Sequence, residues 1–363
     1  MIKPIMLQDL DFDEIRVEFR AKCGSPYFRK LKVGMPRISQ EIIDSVFYLY
    51  PTEKDAEAGT NPGGTGFVVC MENHDGDLHH QHYYGVTNWH VAVRDGLSVV
   101  RINRLDGTPS IFGFSPEDWE FIARGPDVAV IPLELDHRIH RCSSVSTRLF
   151  AADYDLKSMS VGEDVFMIGL FVDHAGVTTN SPKARFGNIS MLASEDSKIK
   201  QPTLYEGRTH IIDAHSRSGF SGSPVFVYRT PLSDFGSFQH LRGTVDATSI
   251  ARQLNSPAAR TREIDVALRL PNTLFALLGI HWGQFPEEWQ IRNPDKISES
   301  DRRSLINNGG YISGVSGMTC VIPSSEILDV LELPKLVELR KQKESLTRHH
   351  LLLEPRAEKY KSE

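Results

Sequence analysis

The chain has 363 residues and a mass of 40.8 kDa, which is enough for two domains of ordinary size. Its 40% hydrophobic and 24% charged residues are typical of a folded globular protein and exclude wholesale disorder. Lys and Arg number 41 against 47 Asp and Glu, and this negative balance argues against a nucleic-acid or membrane-surface partner.

The N-terminal segment and the cysteines indicate the compartment. The first 20 residues contain no continuous apolar run followed by a small-residue cleavage site, so the sequence predicts no secretory signal. Four cysteines stand far apart at 23, 70, 142 and 320, without a CxxC or a zinc-ligand spacing. We therefore expect reduced, mostly buried thiols in a cytoplasmic protein, with two disulfide bridges as the alternative.

The chain divides into an N-terminal extension and a first group of β-rich runs. Residues 1–37 are polar and broken by Pro and Gly, with one predicted helix over Asp11–Arg20. From Ile43 onwards, runs of four to eight apolar residues alternate with turn residues, which is typical of β-barrels or sandwiches. The predicted strands of this first group, within 38–135, are 45–50, 65–71, 82–88, 97–103 and 127–133.

A weakly patterned linker over 136–160 separates this group from a second one, within 161–323. Its predicted strands are 161–172, 184–192, 209–214, 223–228, 277–283 and 317–323. Helical periodicity returns over 324–363. Ser324 or Ser325 caps a helix that carries Ile327, Leu328 and Leu331 on one face, and Pro334 separates it from a charged helix.

The run G-F-S-G-S-P at 219–224 has the composition of a nucleophile turn. A serine hydroxyl needs a base and fixed donors for the oxyanion that it creates. Gly219 allows a tight turn in which its own N–H and that of Ser221 point to one spot, which would form an oxyanion hole. A plain Gly/Ser turn between two strands is the structural alternative.

Two further residues supply the partners of such a serine. His90 follows a β-run that ends in Thr87-Asn88, and Asp127 opens an apolar strand after a Gly-Pro turn. The histidine would act as the base, and the aspartate would orient it. Taken singly, His90 is as well explained as a core histidine and Asp127 as a turn residue.

Together the blocks VTNWHV, DVAVI and GFSGSP resemble the catalytic blocks of trypsin-like serine peptidases of the chymotrypsin fold, nearest to the bacterial HtrA/Deg-type branch. GGTGFVV, GIHWG and GMTCVIP are similar to further blocks of that family, in the same order. The resemblance spans about residues 40–331. It implies an all-β fold of two six-stranded antiparallel barrels with the site between them, and His90, Asp127 and Ser221 as a catalytic triad.

The departures from the family pattern are informative. Phe220 replaces the Asp that receives a freed N-terminus in digestive relatives, so that zymogen switch cannot operate here. The sequence after Pro323 is too short for the PDZ domain that HtrA/Deg-type proteins usually carry. Two insertions, over 229–276 and 284–316, flank the expected cleft. They are either surface decoration or segments that select substrates or regulate access.

The resemblance also suggests a specificity pocket. His215, six residues before the serine, corresponds to the pocket base, and Gly283 and Gly317 lie on the strands that line it. His281 either lies in the pocket or, in the other register, sits behind Asp127. A pocket histidine would favour Glu or Gln before the scissile bond.

The histidine-rich run from His74 to His82 raises the question of a metal. Asp75-Gly76 reads as a hairpin turn, and the sequence favours a solvated hairpin over a metal site. We expect no metal and no cofactor.

Two functions of different class follow. The first is a serine endopeptidase that acts on protein or peptide substrates under the control of a regulatory partner, the substrate or assembly. The second is a catalytically silent peptide-binding or scaffold protein on the same fold.

Overall fold

Two β-structured units make up most of the chain in the computed structural model, which describes residues 38–75, 78–151, 156, 159–229, 274–290 and 311–357. The expected N-terminal extension with its helix over Asp11–Arg20 lies outside these residues. So does most of each expected insertion.

The first unit is a curled, mainly antiparallel sheet with the strand order β5-β4-β1-β2-β3-β6. A two-residue strand, β7, adds to β2 in parallel. The strands are β1 Val46–Tyr50, β2 Gly64–Asp75, β3 Leu78–Thr87, β4 Val99–Asn103, β5 Pro109–Phe112, β6 Ala129–Leu133 and β7 Val145–Ser146.

The second unit is a closed six-stranded antiparallel barrel with the order β12-β15-β14-β13-β8-β9. The strands β10 and β11, which come between β9 and β12 in the sequence, form a separate two-stranded hairpin. The strands are β8 Asp164–Gly169, β9 Lys183–Met191, β10 Lys198–Lys200, β11 Glu206–Arg208, β12 His210–Asp213, β13 Pro224–Arg229, β14 Leu274–Gln290 and β15 Tyr311–Pro323.

Helices are short apart from the last one. They are α1 Gln40–Asp44, α2 Glu53–Ala58, α3 Ser324–Leu331 and α4 Pro334–Ala357, with a π-helix at His90–Arg94. Ser324 is the first residue of α3, and Pro334 begins α4 at a position where a helix does not need the missing N–H. None of the described helices is both long and apolar enough to span a membrane.

The all-β fold class and the C-terminal helices are thus confirmed, and each of the eleven predicted runs contains a strand. The sequence missed the short strands β5, β7, β10 and β11. These strands have two to four residues and few buried side chains, so their hydrophobic alternation is too brief to detect. Within the segment expected as a linker, Val145 in β7 pairs with Val69 in β2.

The buried strands β1 and β8 divide their side chains between separate clusters of buried hydrophobic residues. In β1, Tyr48 and Tyr50 enter a central cluster, whereas Phe47 and Leu49 face a second cluster inside the N-terminal sheet. In β8, Phe166 and Ile168 join the same central cluster, while Val165 and Met167 fill the barrel. Successive side chains of a strand point to opposite faces. The central cluster therefore draws on both units and packs them against each other.

The barrel strands β14 and β15 extend into the segment expected as an insertion over 284–316. They continue to pair from Pro286 and Val315 outwards to Gln290 and Tyr311. The part of this segment next to the barrel is therefore a two-stranded ribbon. We call it the β14–β15 ribbon, and it consists of residues 284–290 and 311–316.

The described cysteines are Cys70, Cys142 and Cys320, and all three are free thiols. Cys70 and Cys320 are buried. Burial raises the pKa of each of the three thiols, to about 11 for Cys70 and about 12 for Cys142 and Cys320. They are protonated and unreactive at neutral pH.

Candidate active site

His90 and Asp127 meet because β3 and β6 are antiparallel neighbours. Thr87, the last residue of β3, lies opposite Ala129, the first residue of β6. His90 comes just after the end of one strand and Asp127 just before the start of the other. The π-helix that begins at His90 holds the histidine close to this junction.

Asp127 contacts the histidine at two points. Its Oδ2 accepts a hydrogen bond from Nδ1 of His90 at 2.6 Å, and its Oδ1 accepts one from the His90 backbone N–H at 2.8 Å. Asp127 is fully buried and His90 is 8% exposed. A carboxylate only accepts hydrogen bonds, so Nδ1 carries the proton and Nε2 of the neutral ring is free to act as a base.

The buried aspartate is itself held in place by two amide side chains. Asn88 donates from Nδ2 to the Asp127 carbonyl at 2.8 Å. The Asp127 backbone N–H donates to Oε1 of Gln201 at 2.8 Å. Gln201 directly follows β10, and it is only 2% exposed. The imidazole orientation is therefore fixed from both units of the molecule.

The turn before Ser221 is a tight turn that contains Gly219. The Phe220 N–H donates to the Arg217 carbonyl at 3.1 Å, and Gly219 has φ +96°. A positive φ at the third position defines a type II turn, which favours glycine there. The N–H groups of Gly219 and Ser221 bond to no acceptor in the described part of the chain, so both remain available to a ligand.

Ser221 is half-buried directly after this turn. Its hydroxyl makes no hydrogen bond to any described residue, His90 included. Catalytic hydrogen bonds are often long or misaligned before a substrate binds, so this does not conflict with a nucleophilic role. The next residue, Gly222, has to be a glycine, because a Cβ at this position would lie 1.9 Å from the Thr65 carbonyl oxygen.

Thr65 in β2 connects the serine turn to its surroundings with four hydrogen bonds. Its N–H donates to the Ser221 carbonyl at 3.0 Å, and its carbonyl accepts from the Thr87 hydroxyl at 2.7 Å. Its hydroxyl donates to the Gly219 carbonyl at 2.6 Å and accepts from the Leu170 N–H at 2.9 Å. One fully buried residue therefore anchors both ends of the turn.

Phe220 directly precedes Ser221 and is part of the barrel core. It is fully buried and packs with Val225, Met167 and Ile212 inside the barrel. An apolar side chain there cannot receive a charged N-terminus. The turn is instead held by Thr65 and by apolar packing.

The structure brings His215 and Gly317 together, as the sequence predicts for the pocket. A Cβ on Gly317 would lie 3.1 Å from two atoms of the His215 ring, and Gly317 has φ +83°. His215 is exposed. Gly283 on β14 faces open space, with no atom within 4 Å of where its Cβ would be.

His281 does not belong to this pocket. It is 2% exposed, and both ring nitrogens are occupied: Nδ1 donates to the Cys320 carbonyl at 3.2 Å, and Nε2 accepts from the Ser216 hydroxyl at 2.7 Å. No ring nitrogen is left for a substrate. The expectation that His281 lines the pocket is therefore wrong. The other register would place His281 behind Asp127, but the His281 ring makes no hydrogen bond to Asp127 either.

The pKa of His281 is lowered to about 4, mainly by burial and to a smaller extent by the nearby His90, while the hydrogen bond to the Cys320 carbonyl opposes this shift. The ring is therefore neutral, which agrees with one donor and one acceptor nitrogen. His281 supports the strand beside the site rather than reacting in it.

The histidine-rich run forms a hairpin, as the sequence favoured, but it is not fully solvated, because His80 and His82 are buried. Asp75 at the end of β2 pairs with Leu78 at the start of β3. His82 bonds to Glu344 of α4 at 2.9 Å, so this histidine docks the C-terminal helix.

Sequence reasoning missed four residues that support the site. Thr65 and Asn88 lie within the blocks GGTGFVV and VTNWHV, whose spacing to the histidine was a usable signal. Gln201 and Ser216 carry no such signal, because only the folded chain brings them to Asp127 and His281.

Comparisons with known proteins place the chain near solved proteases without assigning a family. No protein-family model and no curated protein matches the sequence. Among solved structures, a mutant of the Rv3671c protein from M. tuberculosis H37Rv in its inactive form is 15% identical over 80% of this chain and 86% of its own, with a TM-score of 0.36. The active form of the Rv3671c protease is 14% identical over 80% and 81%, with a TM-score of 0.36.

The HtrA-type protease AlgW with a decapeptide is similar to the same degree. It is 14% identical over 82% of this chain and 66% of its own, with a TM-score of 0.38. Similarities of this size say nothing of the site, which depends on the residues of this chain.

Proposed function

We propose that the protein is a serine endopeptidase that cleaves protein or peptide substrates through an acyl-enzyme. Ser221 is the nucleophile, His90 the general base and acid, and Asp127 the residue that orients His90. The N–H groups of Gly219 and Ser221 hold the oxyanion. No metal or cofactor takes part in this scheme.

One observation carries the proposal most directly. The buried Asp127 carboxylate bonds to the His90 ring and backbone at 2.6 and 2.8 Å, which leaves Nε2 free as a base. The type II turn that ends at Phe220 leaves two N–H groups next to a serine without an acceptor among the described residues. A base, a hydroxyl and an anion site together are what acyl transfer requires.

The chemical steps follow from these roles. Nε2 of His90 takes the Ser221 proton as Oγ bonds to the substrate carbonyl carbon, and the carbonyl oxygen becomes the oxyanion. The C–N bond then breaks as His90 gives the proton to the leaving amine. Water, deprotonated by His90, attacks the ester, and the acid product leaves with Ser221 restored.

Hydrolysis of a peptide library by wild type and by Ser221→Ala tests the proposal. We expect the variant to lose on the order of 10⁴-fold in kcat with an unchanged fold, because the substitution is small and the three residues act as a unit. Asp127→Asn, which keeps the shape of the side chain, should show a comparable loss. Hydrolysis by Ser221→Ala at the wild-type rate would overturn the proposed nucleophile.

A peptide-binding scaffold is the second candidate, and the Ser221 hydroxyl without a hydrogen bond to His90 is the observation that favours it. A scaffold would bind peptides equally well with Ser221→Ala and hydrolyse none with either protein.

We also propose the specificity and control of this peptidase. His215, Gly283 and Gly317 form the pocket for the residue before the scissile bond, and a histidine there favours Glu or Gln. A regulatory partner, the substrate or assembly controls access to the cleft.

Three free thiols are typical of a reducing compartment, which supports a cytoplasmic location.

A further inference from the structure

Two arginines stack on an aromatic ring beside the serine turn. The Arg217 guanidinium lies 5.9 Å from the centroid of the Phe171 ring, and that of Arg185 lies 6.0 Å from it. Arg185 also lies 5.9 Å from the ring of Phe220, the residue before Ser221. Arg217 belongs to the turn itself, because its carbonyl accepts the Phe220 N–H.

Arg185 and Arg217 lack the carboxylate partner that seven other described arginines have. Neither Arg185 nor Arg217 forms a hydrogen bond or an ion pair with any residue in the described part of the chain. The exposed carboxylates of Asp173, two residues after Phe171, and Asp213, four residues before Arg217, make no ion pair with them either. By contrast, arginines that pair with a carboxylate are Arg94, Arg104, Arg138, Arg141, Arg148, Arg208 and Arg340.

Their surroundings preorganise them for an anion. Both guanidinium groups lie over the Phe171 ring, and their N–H groups bond to no described residue. These N–H groups are therefore available to a carboxylate, which an arginine can bind with two parallel hydrogen bonds. Arg185 is half-buried, so its charge is less well hydrated than that of a fully exposed arginine. A carboxylate brought there would replace the missing hydration.

Phe171 follows one of the two strands that flank β13, and Gly283 of the proposed pocket lies on the other. A Cβ on Gly219 would lie 2.9 Å from side-chain atoms of both Leu170 and Val172, so the segment that carries Phe171 packs on the oxyanion turn. Within the barrel, β13 follows Ser221 and has β14 on one side and β8 on the other. Gly283 lies on β14, whereas Phe171 follows β8.

We infer that Arg185 and Arg217, stacked on Phe171, bind an acidic side chain of the substrate that follows the scissile bond. This rests on the proposed function: if the pocket at His215 takes the residue before the bond, the residues after it cross the turn towards Phe171. The preferred substrates are peptides that carry Asp or Glu among the first few residues of the leaving segment.

The experiment uses peptides that are identical before the scissile bond and carry Asp, Ala or Lys at one of the first three positions after it. We expect one position at which wild type prefers Asp to Lys by about 10-fold or more in kcat/KM, the size of a charge-assisted hydrogen bond. The double variant Arg185→Glu/Arg217→Glu should reverse this preference, and Arg217→Lys should retain part of it.

Arg138→Glu is the matched control, because it changes the charge of an exposed arginine between β6 and β7. It should keep the wild-type preference. The same peptides are also titrated onto Ser221→Ala by fluorescence anisotropy, which reads the site without catalysis. Equal affinity for the Asp and Lys peptides, or an unchanged order in the charge-reversed variant, would overturn the inference. If the wild-type protein hydrolyses none of the peptides but Ser221→Ala keeps the binding preference for Asp, the result would count against the proposed peptidase activity and not against the arginine site.

Discussion

The hydroxyl of Thr65 fixes a group that has to keep its direction during acyl transfer. It donates to the Gly219 carbonyl and so holds the peptide that follows this glycine. If that peptide rotated, the adjoining N–H groups would no longer converge. An oxyanion hole contributes through donors that are already in place when charge develops. We therefore regard Thr65 as a positioning residue for the proposed hole.

Thr65→Val tests this role, because valine keeps the shape of the side chain and removes the hydroxyl. We expect a loss of about 10- to 100-fold in kcat with little change in KM, since one buried carbonyl and one buried N–H lose their partner. Thr65→Ser should restore most of the activity. A peptide boronate, which mimics the tetrahedral state, should bind more weakly to Thr65→Val in the same proportion. Wild-type kcat and boronate affinity in the valine variant would contradict the role.

Two buried histidines give the protein a predictable acid sensitivity. Burial lowers the pKa of His210 to about 3 and that of His281 to about 4, from 6.5 in an unfolded chain. His210 also uses Nδ1 to accept the Ala193 N–H at 3.0 Å, which a protonated ring could not do. The unfolded state thus binds protons first as the pH falls. The stability is complete above about pH 6.5 and declines below it, down to the folded-state values.

Urea unfolding at pH 7 and pH 5 measures this effect. Each histidine should account for about 2 kcal/mol of the stability lost between the two pH values. His281→Asn should therefore show a smaller pH-dependent loss than wild type, whereas His174→Asn, at an exposed position, should not. The same pH-dependent loss in wild type and His281→Asn would contradict the prediction.

The sequence predicted the site residues whose chemistry is visible in short motifs. His90, Asp127 and Ser221 were predicted as a triad because residue type, order and strand context agree. His281 was misplaced, because the strand pattern allows two registers and only the packed barrel decides that its ring points to Ser216. Gln201 was missed because it follows β10, a three-residue strand with no detectable pattern.

At the scale of elements, the strand β14 links the site to a segment outside the barrel. Its residues His281–Gly283 pass beside the serine turn, and the Gly222 N–H donates to the His281 carbonyl at 2.9 Å. The same strand then continues as the β14–β15 ribbon, where residues 285–288 are exposed. Movement of the ribbon would reach the cleft through a continuous strand, at a low cost in buried contacts.

We therefore expect the ribbon to limit access to the cleft. The pair Pro286 and Val315 marks a place to cut it, so residues 287–314 can be replaced by Asn-Gly, which closes a two-residue hairpin. The shortened protein should have a higher kcat/KM than the full chain on the same peptide. Circular dichroism and the thermal midpoint serve as controls of its fold. Equal activity of the two correctly folded proteins would show that the ribbon is not a gate.

Fully buried strands were predictable, and the exposed ends of strands were not. The apolar runs of β1, β6 and β13 are buried on both faces, so composition alone identified them. The extension of β14 to Gln290 was missed because its outer part is polar. Pairing with β15 rather than burial defines that part of the strand.

At the scale of the molecule, the proposed site depends on how the two β units pack. His90 and Asp127 come from the N-terminal sheet, and Ser221 comes from the barrel. The central cluster joins them through Tyr48 on one side and Phe166 on the other. Hydrogen bonds of Thr65 and Gln201 cross the same boundary. The site is therefore assembled by tertiary packing, which is why motif order in the sequence could indicate it but could not give its geometry.

The most direct test of the central claim is the reaction of the purified full-length protein with a fluorophosphonate, followed by intact mass and peptide mapping. The proposed triad predicts one adduct per chain on Ser221, absent in Ser221→Ala and slower in Asp127→Asn by on the order of 10⁴-fold. Trypsin treated in parallel controls for the reagent. No adduct on the wild-type protein, or an adduct at another serine that persists in Ser221→Ala, would contradict the claim that Ser221, His90 and Asp127 form a working catalytic site.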